Sequence, residues 1–429
     1  MRPNFIYIVA DDLGSADLGC YGASPEVSPN LDRLAREGLR FSRAYSNSPV
    51  CSPARFAMIT GRWQYRLRGA AEEPLGRRST TLGLPPEHPT LPSLLQAAGY
   101  DTALIGKWHL GHPPQYGPLK SGYAEFFGPL GGAVDYFSHL GPSGTHDLWE
   151  GEREVQEHGY LTDLISERAA EYVARQRDKP FFLSVHYTSP HWPWETRDDA
   201  AESARIGSDI AHLDGGSVQI YQRMIHHMDE GIGRILAALP PAQRENTLIV
   251  FLSDNGGERF SNNWPFIGGK MDLLEGGIRV PQIAHWPGRI AAGATSDWPT
   301  LSMDWMPTML SAAGVAADPK YPLDGVDLSP LLADPAWSPP RRLFWRMKHR
   351  QQAACVEGRW KYLRVDGYEY LFDVVKDGRE RANIAKHHPE RLAAMRQQWN
   401  DWEATMLAIP DDAQVHLLWT EADMPRPTH

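Results

Sequence analysis

The chain is poor in cysteine, with three in 429 residues, at positions 20, 51 and 355. That number excludes a disulfide framework and fits a reducing compartment, or a fold that needs no bridges. No apolar run approaches the roughly eighteen residues that a bilayer-spanning helix requires. Positive charge is not in excess either: Asp and Glu total 53 against 43 Lys and Arg, for a net charge of −10. General attraction to nucleic acid or to an anionic membrane is therefore excluded. A site for an anionic substrate has to be built locally, against the overall sign. Internal repeats and low-complexity tracts are also missing, which excludes repeat arrays and disordered segments of that kind. What is present is ordinary globular composition, 42% hydrophobic and 22% charged. The length suits one large α/β domain plus a smaller unit.

The apolar run Phe5 to Ala10 is short and ends directly in Asp11 and Asp12. It reads as a buried first strand with no room for a secretory leader, so the expected location is cytoplasmic. Ser28-Pro29 offers a cap and a first helical residue for a helix to Glu37, closed by Gly38. Thr90 to Ala98 repeats the device before Gly99. Strands are expected at Thr102 to Gly106, Pro180 to His186 and Thr247 to Ser253, with helices at Tyr160 to Gln176 and Gln219 to Leu239. Alternating strands and helices predict a large, mostly parallel sheet flanked by helices on both faces. Ligand groups in such sheets lie beyond the strands' carboxyl ends, where Asp11, Lys107 and Asp254 fall.

Residues 111 to 155 are rich in Gly, Pro, His and aromatics and read as long loops over a site. After Trp337-Ser338-Pro339-Pro340 the pattern changes to four short strand candidates and one helix, Pro389 to Met406. This predicts a small C-terminal antiparallel sheet with one packed helix. The expected organisation is a catalytic domain over 1–340, a small α+β subdomain over 341–409 and a tail over 410–429. The tail's apolar patch, Val415 to Trp419, is a candidate for docking on the main domain or on another subunit in a homo-oligomer.

Cys51-Ser52-Pro53-Ala54-Arg55 precedes the helix-compatible run Phe56-Ala57-Met58-Ile59. A thiol at a helix start can have a depressed pKa, because free N–H groups favour the thiolate. A buried, inert cysteine is the alternative, and the stretch alone leaves both open. Adjacent Asp11 and Asp12 repel each other unless a cation or hydrogen-bond donors compensate. With Asp254 and Asn255 at another strand end they form an all-oxygen set, suited to Ca²⁺ or Mg²⁺ rather than Zn²⁺.

Cys51-Ser52-Pro53-Ala54-Arg55, followed by Thr60-Gly61-Arg62, resembles the modification signature of the type I, formylglycine-dependent sulfatases of the alkaline-phosphatase-like superfamily. The resemblance continues in Asn4 to Asp12, Gly106-Lys107-Trp108-His109, Pro190-His191, Ser253 to Gly257, Gly268-Gly269-Lys270 and Glu275 to Pro281. It implies hydrolysis of an organic sulfate monoester by a formylglycine hydrate derived from Cys51, matured by a formylglycine-generating enzyme. It further implies one divalent cation, usually Ca²⁺, on Asp11, Asp12, Asp254, Asn255 and an oxygen of modified Cys51. Lys107 and Lys270 would bind sulfate, Lys270 nearest the leaving oxygen, and His191 would share leaving-group protonation. Arg55 would hold residue 51, and His109 would be the base that lets sulfate depart.

Trp63, Trp149, Trp192, Trp194 and Trp264 together suggest a walled pocket for an aryl or sugar ring. His139, His146 and Asp147 are candidates for reading substrate hydroxyls. Asp17 reads as structural, and His186 as a buried strand residue. Two other classes remain to be weighed. One is a phosphate mono- or diester or phosphonate hydrolase on the same scaffold. The other is a degenerate, non-catalytic binding protein.

Overall fold

The computed structural model describes residues 2–76 and 78–417. Its centre is the strand Asn4–Ala10, buried at every position. Successive side chains of a strand point to opposite faces. Ile6, Ile8 and Ala10 accordingly enter one core and Phe5, Tyr7 and Val9 the other. The first core is covered by helices Leu161–Ala174 and Val218–Ala238 together with Pro29–Glu37. The second is covered by Cys51–Thr60, Leu91–Ala97 and Trp305–Ala313. Burial on both faces is why the central strands read as unbroken apolar runs.

Asn4–Ala10 pairs in parallel with Phe181–His186 on one side and Thr247–Ser253 on the other. Phe181–His186 pairs in turn with Asp101–Gly106. The registers set Ala10 opposite Ser253, Val9 opposite His186, and Gly106 opposite His186. The four strands therefore end level, and the residues that follow emerge along one edge.

The large sheet has ten strands among the described residues and is mixed. Its middle is parallel, with Glu125–Gly128 joining Asp101–Gly106 in that sense. Gln282–His285 runs antiparallel to Thr247–Ser253, and Leu39–Phe41 antiparallel to Gln282–His285. The short strands Trp149–Glu150 and Arg153–Glu154 close the other edge antiparallel. At that first edge Ala294–Ser296 pairs parallel with Leu39–Phe41, so the expected mostly parallel sheet holds at the centre and its margins are mixed.

The two expected caps differ. Thr90 forms a reciprocal capping box with Ser93. Ser28 does not cap its helix; its hydroxyl accepts from the Gly19 N–H and donates to Asp32.

Arg342–Arg346, Ala353–Glu357, Trp360–Val365 and Tyr368–Asp373 form an antiparallel four-stranded meander, packed by the helix Pro389–Glu403. Its core is shared with the large unit: Tyr45, Val50, Ala57, Leu273 and Ile278 belong to the same cluster as Trp345, Tyr362 and Trp399. Beyond the helix the chain turns back on its own body. Lys348 Nζ donates to the carbonyls of Pro410, Asp411 and Ala413, and the Glu73 and His416 N–H groups donate to Gln414 O and Glu73 O. The apolar patch at 415–419 lies partly outside the described residues, and its first positions contact this same chain.

Candidate active site

Asp11, Asp12, Lys107, Asp254 and Asn255 follow directly from strand ends, and all are buried. The helix Cys51–Thr60 is buried throughout and points its first turn at this edge. Cys51 Sγ lies 3.4 Å from Asp11 Oδ1 and 3.9 Å from Asp12 Oδ1. Burial, reinforced by Asp11, pushes the thiol well above its ordinary pKa. The helix terminus therefore does not yield a thiolate: desolvation and a carboxylate neighbour outweigh it.

Charges pair across the site. Arg55 reaches Asp254 Oδ2 at 3.0 Å from Nε and 2.9 Å from a terminal nitrogen, and comes within 3.8 Å of Asp11. Lys107 Nζ donates to Asp11 Oδ2 at 2.5 Å. Lys270 Nζ donates to Asp12 Oδ2 at 2.8 Å and faces His191 Nε2 at 3.1 Å. Burial opposes the Lys270 charge, but Asp12 and the neighbouring acidic groups win and raise its pKa well above the usual range. Burial, with Asp11, raises the Asp254 carboxyl to about 6 despite Arg55.

The histidine tautomers follow from their partners. His109 Nε2 lies 3.1 Å from Leu75 O, which only accepts, so Nε2 carries the proton and Nδ1 keeps its lone pair. Burial and the charges of Lys107 and Arg55 hold His109 neutral, far below its ordinary pKa. His191 Nδ1 lies 2.8 Å from Trp192 O, so Nε2 presents its lone pair to Lys270. Burial and Lys270 keep His191 neutral as well. The proton in this pair resides on the lysine.

Ligand atoms of Asp11, Asp12, Cys51 and His191 lie within 4.8 Å of one another. Asp254 and Asn255 adjoin them, Asp254 Oδ1 accepting from the Asp12 N–H and Asn255 Nδ2 donating to Asp12 Oδ1. Asn255 Oδ1 is buried and has no hydrogen-bond partner among the described residues. A buried, unpaired amide oxygen beside three carboxylates fits a hard divalent cation.

Other expected residues fall elsewhere. Trp63 packs against Phe344 and Trp402 in the C-terminal core, and Trp194 is buried against Tyr221 and Phe260. Trp192 lies on the His191 ring, Trp149 donates to Asp147, and Trp264 is 60% exposed under Arg379. The five tryptophans do not wall one pocket. Asp147 holds a loop by accepting from the Leu130 and Gly131 N–H groups. His139 is buried beside His146, which faces Glu154. Asp17 is structural, taking bonds from Gly14, Asn262 and Tyr221. His186 does more than fill a strand: its Nδ1 lies 3.4 Å from Arg55 and 3.3 Å from Lys107 O. The parts of Leu75 and Ser52 were missed. Ser52 Oγ accepts from the Leu75 N–H, which sets the carbonyl that orients His109.

The family description of sulfatases matches residues 3–315. The chain is 34% identical over 361 residues to N-acetylgalactosamine-6-sulfatase of Canis lupus familiaris, covering 77% of this chain and 66% of that protein. It is 31% identical over 422 residues to arylsulfatase G of Rattus norvegicus, covering 86% and 76%. Among solved structures, Ps i-CgsB in complex with k-i-k-neocarrahexaose aligns with a TM-score of 0.83 at 33% identity, over 94% of this chain and 93% of that one. The chain thus spans just under two thirds of the length of the first of these relatives.

Proposed function

This chain belongs to the sulfatase family, and on that premise we propose that it hydrolyses an organic sulfate monoester to an alcohol or phenol and inorganic sulfate. The observation that carries the reading is the pairing, around buried Cys51, of three carboxylates with Arg55, Lys107 and Lys270. A carbohydrate sulfate is the favoured substrate class. Its support is the likeness to an N-acetylgalactosamine-6-sulfatase and to a protein solved with neocarrahexaose.

Conversion of Cys51 to formylglycine by a maturation enzyme supplies a hydrated aldehyde as nucleophile, where a thiol would stay protonated. Asp11, Asp12, Asp254 and Asn255 would hold one divalent cation, in our reading Ca²⁺, which neutralises carboxylates and polarises sulfate oxygens. Lys107 and Lys270 bind the sulfate oxygens. Lys270 carries a proton and gives a donor to the leaving ester oxygen, where charge develops as the bond breaks. His191 orients that donor by accepting from it and does not itself bring a proton. His109 offers a neutral Nδ1 as base, with its ring fixed by Leu75 O. Arg55 fixes Asp254 and the carbonyl of Lys107. These side chains are buried, apart from Lys270 at 13% exposure, so their charges act on one another and on a bound sulfate with little screening by solvent.

The test compares kcat/KM on matched aryl sulfate, aryl phosphate and sulfated galactose-type oligosaccharides, using protein whose residue-51 peptide has been weighed. Sulfate esters should lead, and only formylglycine-bearing protein should turn over. Full sulfatase activity from protein carrying cysteine at 51, or a preference for phosphate, overturns the proposal.

A further inference from the structure

We propose that Gln352, just before the second strand of the C-terminal sheet, is a positioning residue for Lys270. The inference rests on the reading of Lys270 as donor to the leaving oxygen. Lys270 stands in a demanding turn. Gly268 precedes it at φ +78°, and Met271 follows at φ +74°, a left-handed conformation that a side chain resists. Such a turn persists only when its surroundings hold it.

Part of the support is local. The Met271 N–H donates to Pro49 O, two residues ahead of Cys51, and the Asp272 N–H donates to Gly269 O. The Lys270 N–H itself donates to Gly257 O at 3.1 Å, and the C-terminal sheet adds a second set of bonds just after it. The Gln352 side chain, in a residue 2% exposed, donates from Nε2 to Met271 O at 2.8 Å. Its Oε1 accepts from the Leu273 N–H, also at 2.8 Å. A primary amide presents a donor and an acceptor side by side, as a neighbouring strand would. It thereby brackets the residues after Lys270 at two points.

The far end of the same loop is held by the same sheet. Lys361 pairs with Glu275 at 3.0 Å and Glu380 at 2.8 Å, and Glu380 accepts from the Glu275 N–H at 2.6 Å. These contacts join residues 79 to 105 positions apart. At the other end of its side chain, Lys270 Nζ sits between Asp12 and His191. A loop that shifts its backbone moves that ammonium off the reacting oxygen, and small misplacements of catalytic groups are costly in rate.

The experiment measures kcat and KM for an aryl sulfate with a good leaving group and a saccharide sulfate with a poor one. It compares the parent enzyme with Gln352→Met, Gln352→Glu, Lys270→Ala and the Lys270→Ala/Gln352→Met double variant, with thermal midpoints for each. Gln352→Met should lower kcat about 10-fold on the aryl ester and about 100-fold on the saccharide ester, with KM little changed. In the Lys270→Ala background the same change should cost nothing further. Gln352→Glu keeps the acceptor for Leu273 and loses the donor to Met271, so it should fall in the same direction. It carries the test if the methionine variant does not fold. Equal losses on both esters that track a lowered midpoint, or losses additive with Lys270→Ala, overturn the role of Gln352 while leaving that of Lys270 intact. No effect of Lys270→Ala on either ester removes the reading of Lys270, and the proposal with it.

Discussion

Replacing Glu73 with glutamine should flatten the pH dependence of stability. The Glu73 carboxyl accepts from the Lys348 N–H at 2.7 Å and the His349 N–H at 2.9 Å. Burial nevertheless raises its pKa from 4.5 to about 7, the two backbone donors notwithstanding. Below pH 4.5 the group is protonated whether the chain is folded or not. Between 4.5 and about 7 only the folded chain keeps the proton, so stability falls as pH rises through that window. The contribution is complete below about 4.5 and lost above about 7. At about 1.4 kcal/mol per pH unit, the interval amounts to about 3 kcal/mol.

A protonated carboxyl can still accept at both oxygens, whereas glutamine has one acceptor for the two backbone donors, so the variant carries a fixed cost for the unmatched donor but does not titrate. The variant should start below the parent near pH 5 and gain on it by about 2.5 kcal/mol between pH 5 and pH 8. Urea unfolding followed by tryptophan fluorescence at pH 5, 6, 7 and 8 reads the difference. Comparison with the variant is needed because Glu380, raised to about 7, and Asp17, raised to about 6, slope the parent curve the same way. Exchange of the Glu73 and His416 amides reports whether the tail opens first, since these two N–H groups bond Gln414 O and Glu73 O. A parent–variant difference that is flat from pH 5 to 8, or that runs the other way, refutes the reasoning.

Asp254→Ala should lose both bound metal and turnover, and the parent should hold one calcium per chain by elemental analysis. Stoichiometric zinc in active enzyme would contradict the oxygen-donor assignment. His109→Ala should lower turnover about 10²- to 10⁴-fold, as expected for a general base. The loss should be alike for good and poor leaving groups; a loss that grows with leaving-group pKa places His109 at the wrong step.

The centre of the fold was legible because its strands are buried on both faces, so Phe5 to Ala10 and Thr247 to Ser253 read as apolar runs stopped by aspartates. The margins were not. Leu39–Phe41, Gln282–His285 and Ala294–Ser296 have three or four residues each, too few to show a period. The site's side chains were visible as ordered motifs, and the structure brings Asp11, Asp12, Cys51, Arg55, Lys107, His191, Asp254, Asn255 and Lys270 together. Their supports were invisible: Leu75 acts through its carbonyl, and Gln352 sits among polar residues with nothing local to single it out. The tryptophans misled because the same ring suits a pocket wall and a packed core, and only the fold sends Trp63 to Phe344 and Trp402.

The charge of the site also bears on how the proposed anionic substrate could be held by an acidic protein. Asp11, Asp12 and Asp254 are matched in formal charge by Arg55, Lys107 and Lys270, through contacts of 2.5 to 3.8 Å. As built, the cluster is neutral and buried, which avoids the large penalty of an unpaired interior charge. A divalent cation held there would bring the sum to +2, and on the proposed reading a sulfate monoester, at −1, would leave the site positive as the leaving oxygen gains charge. A phosphate monoester dianion would bring the same sum to zero. Net charge therefore admits both esters, and their discrimination has to lie in the nucleophile and in the placement of Lys270. Those are the two features to which the proposed conversion of Cys51 and the proposed Gln352 clamp are tied.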